Sequence, residues 1–300
     1  MISPGRRLFK TSEVRFSTLA LHQHEIRERV YLQAEESHVR IDISDRHWIV
    51  CDDPFIVAVW MNPTLNARQR LLVIANETVV GYLELDLIDR KKIPEGELGL
   101  FKSVKAISRH STPLRRRLML GYLRFKQKEN ASKNLINYCV AYSYPRNVVL
   151  VSCSTDDYFN IFPMDFQGRV PETNQYLFGL RRTNKALEKI IKQRQVVVCE
   201  VPATKKNIIY QLGKHHGTAP PSIEALPFSC HFSERLVFPV PDFTTAYSEV
   251  ELERFDALGS HMLMVGHVIN RVVREPGDRQ LYHIHSIHNA HRNMNTSRTT

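Results

Sequence analysis

The chain has little cysteine, and what it has is dispersed. Cys51, Cys139, Cys153, Cys199 and Cys230 are odd in number and show no CxxC spacing, which excludes a disulfide framework and a cysteine-built structural zinc site. They read as small buried hydrophobes. No apolar run approaches the ~20 residues that a membrane-spanning helix needs. The opening stretch "MISPGRRLFKTSEVRF" has no apolar segment of the secretory type, so a cytoplasmic protein with no membrane partner is expected. GxSxG, HExxH and the P-loop glycine pattern are all missing, which leaves hydrolase and nucleotide triphosphatase readings without support. GxGxxG is missing too, so any reduced nicotinamide would bind transiently and not in a Rossmann domain.

What is present is a folded chain with a basic surplus. Its 300 residues exceed what one small core needs, which points to two domains or one domain with a large extension. Lys and Arg number 41 against 31 Asp and Glu, and the resulting net charge of +10 suits an anionic partner: nucleic acid, a membrane surface or a phosphate-bearing small molecule.

The first half reads as β-rich. "HVRIDIS" alternates Val39, Ile41 and Ile43 with polar neighbours, "PFIVAVWM" is a continuous apolar run, and "RLLVIANETVVGYLELDLI" reads as two strands about Asn76 and Glu77. Residues 101–128 hold nine Lys or Arg and no acid. Thr112-Pro113 starts a helix there, with Leu114, Leu118, Tyr122 and Phe125 at helical spacing under Arg115, Arg116 and Arg117. Such a face could contact nucleic acid, but a solvated helix between domains is the favoured reading. "KENASKN", from Lys128, reads as a linker. The expected division is therefore 1–128, a β-rich domain or extension ending in a basic helix, and 129–300.

The second half offers strand "NVVLVS", strand "QYLFGL", helix "TNKALEKIIKQR" and strand "VVVCEVP". "AYSEVELERF" is ambiguous: Ser248 and Glu251 fit a capping box, while Val250 and Leu252 alternate with acids at a period of two. The alternation favours a strand, paired through a turn at Gly259 with "HMLMVGHVINRVV". Between the first two strands, Asn160 to Phe166 reads as an irregular loop whose polar backbone and aromatic or thioether side chains suit a flat heteroaromatic ring. Arg181, Arg182, Thr183 and Asn184 precede a helix, where free amides and guanidinium groups favour phosphate. Ring site beside phosphate site describes a mononucleotide pocket. His283, His285, His288 and His291 lie within nine residues of one another. No acid or cysteine accompanies them, so a final strand running into a polar tail is preferred to a metal site.

Together, "YPRNVVLVSCSTDDYFNIFPMDFQG", "FGLRRTNKALEKI" and "VELERFDALGSHMLMVGHVINRVV" resemble the flavin reductase family, over about residues 144–285. That resemblance implies a mainly β fold, an FMN-binding split β-barrel with short helices, usually a homodimer with FMN near the subunit interface. It places Asn160, Phe162, Met164, Asp165 and Phe166 along the isoalloxazine ring, Arg181, Arg182, Thr183 and Asn184 at the ribityl phosphate, and His261 at the nicotinamide or flavin as the candidate catalytic residue. Asp165 stands where a small hydroxyl residue is common. The implied activity is NAD(P)H-dependent flavin reduction, with NADH or NADPH as transient donor passing hydride to FMN N5, and no metal. The rival readings are a non-catalytic module binding a flavin or haem-like ligand, and a basic nucleic-acid-binding protein. Residues 1–125 match nothing in the family pattern.

Overall fold

The computed structural model describes residues 16–35, 37–61, 67–93, 96–109, 130–213, 222–274 and 278–296; the basic helix expected over 114–128 lies outside these. Strand β1 (Phe16–Leu21) comes first, followed by seven strands: β2 (Arg29–Ala34), β3 (Arg40–Asp42), β4 (His47–Asp52), β5 (Phe55–Met61), β6 (Arg68–Ala75), β7 (Thr78–Ile93) and β8 (Gly96–Ser108). They form one antiparallel sheet in the order β3-β2-β6-β7-β8-β5-β4. Helix α1 (Asn130–Ala141) follows, so the stretch expected as a linker is largely helical. Its last turn carries Val140 and Ala141 into the core of this sheet, and that packing overrides a polar local sequence.

The second half begins with β9 (Arg146–Asn147), β10 (Val149–Thr155), β11 (Tyr158–Met164), β12 (Gln167–Arg169) and β13 (Gln175–Arg181). After helix α2 (Ala186–Gln193) come β14 (Gln195–Glu200), helix α3 (Lys206–Leu212), β15 (Cys230–Phe232), β16 (Pro239–Pro241), β17 (Ala246–Leu258), β18 (His261–Val273), β19 (Gln280–His285) and helix α4 (Ser286–Thr296). The main sheet runs β11-β10-β14-β17-β18-β13-β12. The segment expected as an irregular ring-binding loop is thus mostly strand β11. It lies at a sheet edge, where Pro163, opposite Leu150, does not interrupt an interior ladder.

Both sheets close on themselves. An open seven-strand sheet is about 29 Å across. Yet residues 43–46 alone join edge β3 to edge β4, a reach of at most about 18 Å, and Asp165 and Phe166 alone join β11 to β12, about 11 Å. The edges must therefore meet, and each sheet is a split barrel filled by its own core. Val57, Val59 and Met61 of β5 face inward in the first barrel; Tyr176, Phe178 and Leu180 of β13 do so in the second. A third cluster joins the barrels: Trp48, Val50, Ile56, Ala58, Trp60, Leu98 and Leu100 against Val170, Leu177, Leu263 and Val265. Strand β1 leaves the N-terminal half to pair with β19.

The two strand orders are the same once strands are counted from β2 and from β10 within each sheet. The agreement extends to register. In the β7–β8 hairpin Tyr82 faces Ile107 and Ile93 faces Gly96; in β17–β18 Tyr247 faces Val272 and Leu258 faces His261, a constant displacement of 165 residues. Both register irregularities recur at that displacement, after Glu84 and Leu87 in one hairpin and after Glu249 and Leu252 in the other. Bulges are inherited features of a fold, so this coincidence marks one unit used twice.

Candidate functional site

The seam between the barrels brings together residues that lie far apart in the chain. Asp52, at the end of β4, accepts a hydrogen bond from Arg181 Nη2 at 2.7 Å, and its other oxygen accepts one from the Ser260 hydroxyl. Ser260 sits in the two-residue turn after Gly259, whose φ of +54° suits glycine; an added Cβ there would strike the Asp53 carbonyl. His261 Nδ1 lies 2.9 Å from Ser260 Oγ and 3.3 Å from Asp52. Helix α1 closes the group: Asn134 Nδ2 donates to the Asp52 carbonyl at 2.7 Å, and the Tyr138 hydroxyl donates to the carboxylate at 3.3 Å.

Alongside lies a second chain of contacts centred on Asp165. Its carboxylate accepts hydrogen bonds from the Tyr142 hydroxyl and from His283 Nδ1, each at 2.7 Å. The Tyr210 hydroxyl lies 2.7 Å from the other ring nitrogen of His283, Nε2. Phe16 stacks on His283 with centroids 5.4 Å apart, and Phe166 stacks on His261 at 5.3 Å.

Electrostatics separates the groups. Burial drives His261 down to about 4, against the opposing pull of Asp52, so it is a neutral imidazole at neutral pH. Burial alone would raise Asp165, but its hydrogen bond and charge interaction with His283 outweigh this and leave it below the ordinary carboxylate range. The Tyr142 phenol is pushed well up, by burial first and by Asp165 second, and therefore keeps the proton that it donates to Asp165.

The residues named from the sequence fall into three groups. Asp165, Phe166, Arg181 and His261 meet at the seam. Arg182 and Thr183 are exposed on the turn leading to α2, while Asn184 is buried with its side-chain oxygen accepting from the Ala186 amide at 2.9 Å. Phe162 and Met164 lie in the core of the second barrel, and Asn160 is buried beside them, donating to the Tyr158 hydroxyl. Because β11 is a strand, period two sends every second side chain inward, and these three face the barrel interior. Sequence reasoning missed Asp52, Tyr138, Tyr142, Tyr210 and Ser260, and it weighed His283 only as a metal ligand; no local motif marks them. Among the described residues no group of three or more His, Cys, Asp or Glu could hold a metal ion. None of their helices is long and apolar enough to cross a membrane.

The clefts lie elsewhere. One of ≈ 440 Å³, also between the barrels, is lined by Trp48, Tyr144, Arg146, Arg169 and Tyr176, and of the sequence-named residues it touches only Asp165.

No protein-family model and no curated protein matches the chain. Among solved structures it is similar to an FMN-binding protein from Thermus thermophilus with bound p-hydroxybenzaldehyde, 20% identical, over 46% of this chain and 82% of that one, with a TM-score of 0.41. It is similar to an NADH:FAD oxidoreductase from Streptomyces globisporus, 15% identical, over 49% of this chain and 87% of that one, at 0.43. A flavoredoxin from Methanosarcina acetivorans is 15% identical over 44% of this chain and 70% of that one, at 0.39. Each of these likenesses covers about half of this chain.

Proposed function

We propose that the chain is a flavin-binding oxidoreductase of the flavin reductase type, which holds FMN at the seam and takes electrons from NADH or NADPH. The observation that carries this is convergence: Phe166, Arg181 and His261, named from three separate segments, meet around Asp52 in one hydrogen-bonded and stacked group, with Asp165 next to Phe166 in the chain. The fit of the residues to FMN divides. The phosphate end fits, since Arg181, Arg182 and Thr183 are exposed on a turn that opens a helix. At the ring end Phe166 and His261 cover each other, and a bound ring requires the Phe166 side chain to turn off the anchored imidazole.

A bound flavin supplies hydride transfer. The chain's own residues do the rest. Arg181 and Arg182 would bind the phosphate, with Arg181 exchanging its bond to Asp52 for one to the ligand. His261, neutral and anchored through Ser260 to Asp52, offers a fixed imidazole that neither gains nor loses a proton until about pH 4. Asp165, ionised and held by Tyr142 and His283, fixes the link between the edge strands on which Phe166 sits. Titration of the purified protein with FMN, followed by quenching of flavin fluorescence, tests the reading. Saturable quenching, with NADH or NADPH oxidation by the loaded protein, is expected; no quenching by FMN overturns it.

A further inference from the structure

The shared strand order raises the question of what the first barrel is for. The seam answers it. Tracing the register through both sheets pairs Leu98 with Leu263, Leu100 with Val265, Ala58 with Leu177 and Trp48 with Gly168 as equivalent positions. All of these lie at the seam. The same patch of each barrel therefore faces the other, which is the isologous arrangement of a two-fold dimer. Two contacts join equivalent residues directly: Trp48 covers Gly168, and Lys91 Nζ meets Asp256 Oδ1 at 3.1 Å, these last two differing by the same 165 positions as their hairpins.

The equivalent positions have nevertheless diverged in a complementary way. Where the first barrel has Trp48 the second has Gly168, and a Cβ added to Gly168 would land on the Trp48 indole. Where the first has Trp60 the second has Gly179, whose Cβ would strike the Val50 backbone. Two identical copies would bring indole against indole at one place. The lysine facing its equivalent aspartate is likewise complementary only between unlike halves. Each barrel is thus shaped for the other and not for itself.

The site has diverged with the seam. The position equivalent to His261 is Gly96, and the ring of Trp60 occupies the space that a side chain there would need. Between Leu180 and Gln195 the second barrel carries eight more residues than the first carries between the equivalent Met61 and Arg68, the length of α2. The first barrel therefore has glycine where the second has the histidine, and a connection eight residues shorter where the second has the basic turn and α2.

We propose that the N-terminal barrel is a built-in partner subunit: the chain pairs with itself through a duplicated barrel, works as a single chain, and has one ligand site, to which that barrel contributes Asp52 as a competitor of the ligand phosphate for Arg181. The site half of this inference rests on the flavin reading above; the pairing half does not.

Light scattering on the eluting full-length protein, with and without FMN, together with equilibrium dialysis of FMN and riboflavin against the wild type and Asp52→Asn, tests both halves. The expected results are the mass of one chain, one FMN per chain, and FMN bound about fivefold more tightly by Asp52→Asn with riboflavin unchanged, since only the phosphate gains from an unpaired Arg181. A stable mass of two chains overturns the pairing. Two FMN per chain, or an equal change for FMN and riboflavin, overturns the single site in which Asp52 competes with phosphate for Arg181. A one-chain mass with no flavin bound supports the pairing and overturns the flavin reading instead.

Discussion

The Trp48–Gly168 contact gives the most direct energetic test of the seam. Replacing Gly168 with alanine puts a methyl group where the Trp48 indole lies. Trp48 is 7% exposed and sits in the core cluster shared by the barrels, so it can yield only toward the cleft that it borders. Overpacking of this kind costs about 1–3 kcal/mol, and the buried, bulky neighbour argues for the upper end. For a chain of this size about 3 kcal/mol corresponds to a fall in Tm of roughly 5 °C. Trp48→Ala alone costs about 3–5 kcal/mol by opening a cavity. In that background the new methyl enters empty space, so Gly168→Ala should be neutral or stabilising, with a coupling of about 2–3 kcal/mol between the substitutions. The assay is thermal or denaturant unfolding of wild type, both single variants and the double variant. Additivity within about 0.5 kcal/mol would refute the packing, because independent sites add and touching ones do not.

Other perturbations read the rest of the site. His261 and His285 are each held down at about 4, chiefly by burial, so between about pH 6.5 and pH 4 the unfolded chain binds more protons than the folded one. Stability should fall through that window as pH drops, by roughly 2–3 kcal/mol per histidine. His261→Gln should flatten the slope, and an NMR titration showing His261 protonated near pH 6.5 would contradict this. Asp165 is depressed, so its contribution is present above about pH 4 and is lost as pH falls through its folded value. Asp165→Asn should cost about 1–3 kcal/mol at pH 7 and weaken the acid dependence of unfolding; an unchanged denaturation midpoint at pH 7 would show that the Tyr142 and His283 bonds contribute nothing net. Arg181→Ala should weaken FMN about tenfold and leave riboflavin unchanged, whereas equal loss of both would mean that the arginine does not read phosphate. Met164→Ala should destabilise by about 2–5 kcal/mol as a core truncation while leaving flavin affinity in the folded protein intact, and selective loss of flavin binding would move Met164 from the core to the ligand.

Much of the strand framework was legible because the relevant rules are local. The β6–β7 hairpin is announced by Asn76 and Glu77, which take φ of +48° and +61° in a two-residue turn. The period-two alternation of Val250 and Leu252 outweighed the capping box at Ser248, and β17 forms there. The misreadings have one cause, that tertiary context reassigned a local signal. Pro163 and Asn160 resemble loop residues, but an edge strand accommodates proline, so β11 continues through them and turns Phe162 and Met164 inward. The site was legible only where a side chain sits in a recognisable stretch. Asp52 and Tyr138 enter it from segments whose sequence gives no hint of the barrel they face.

The duplication was hidden for a related reason. Selection on a barrel acts on burial and register and leaves residue identity free, so two copies can keep every pairing while losing their resemblance. The shared central strand retains an echo: "GYLELDL" at 81–87 and "AYSEVEL" at 246–252 agree at Tyr82 and Tyr247, Glu84 and Glu249, and Leu87 and Leu252. At the seam the pressure was reversed. Once both halves belong to one chain the two faces no longer need to be identical, and a large residue on one side can be matched by glycine on the other. Trp48 against Gly168 and Lys91 against Asp256 are such pairs. The same freedom allows one half to keep His261 and the helix behind Arg181 while the other fills the corresponding space with Trp60. Asymmetry at the seam and a single site are therefore two consequences of one covalent linkage.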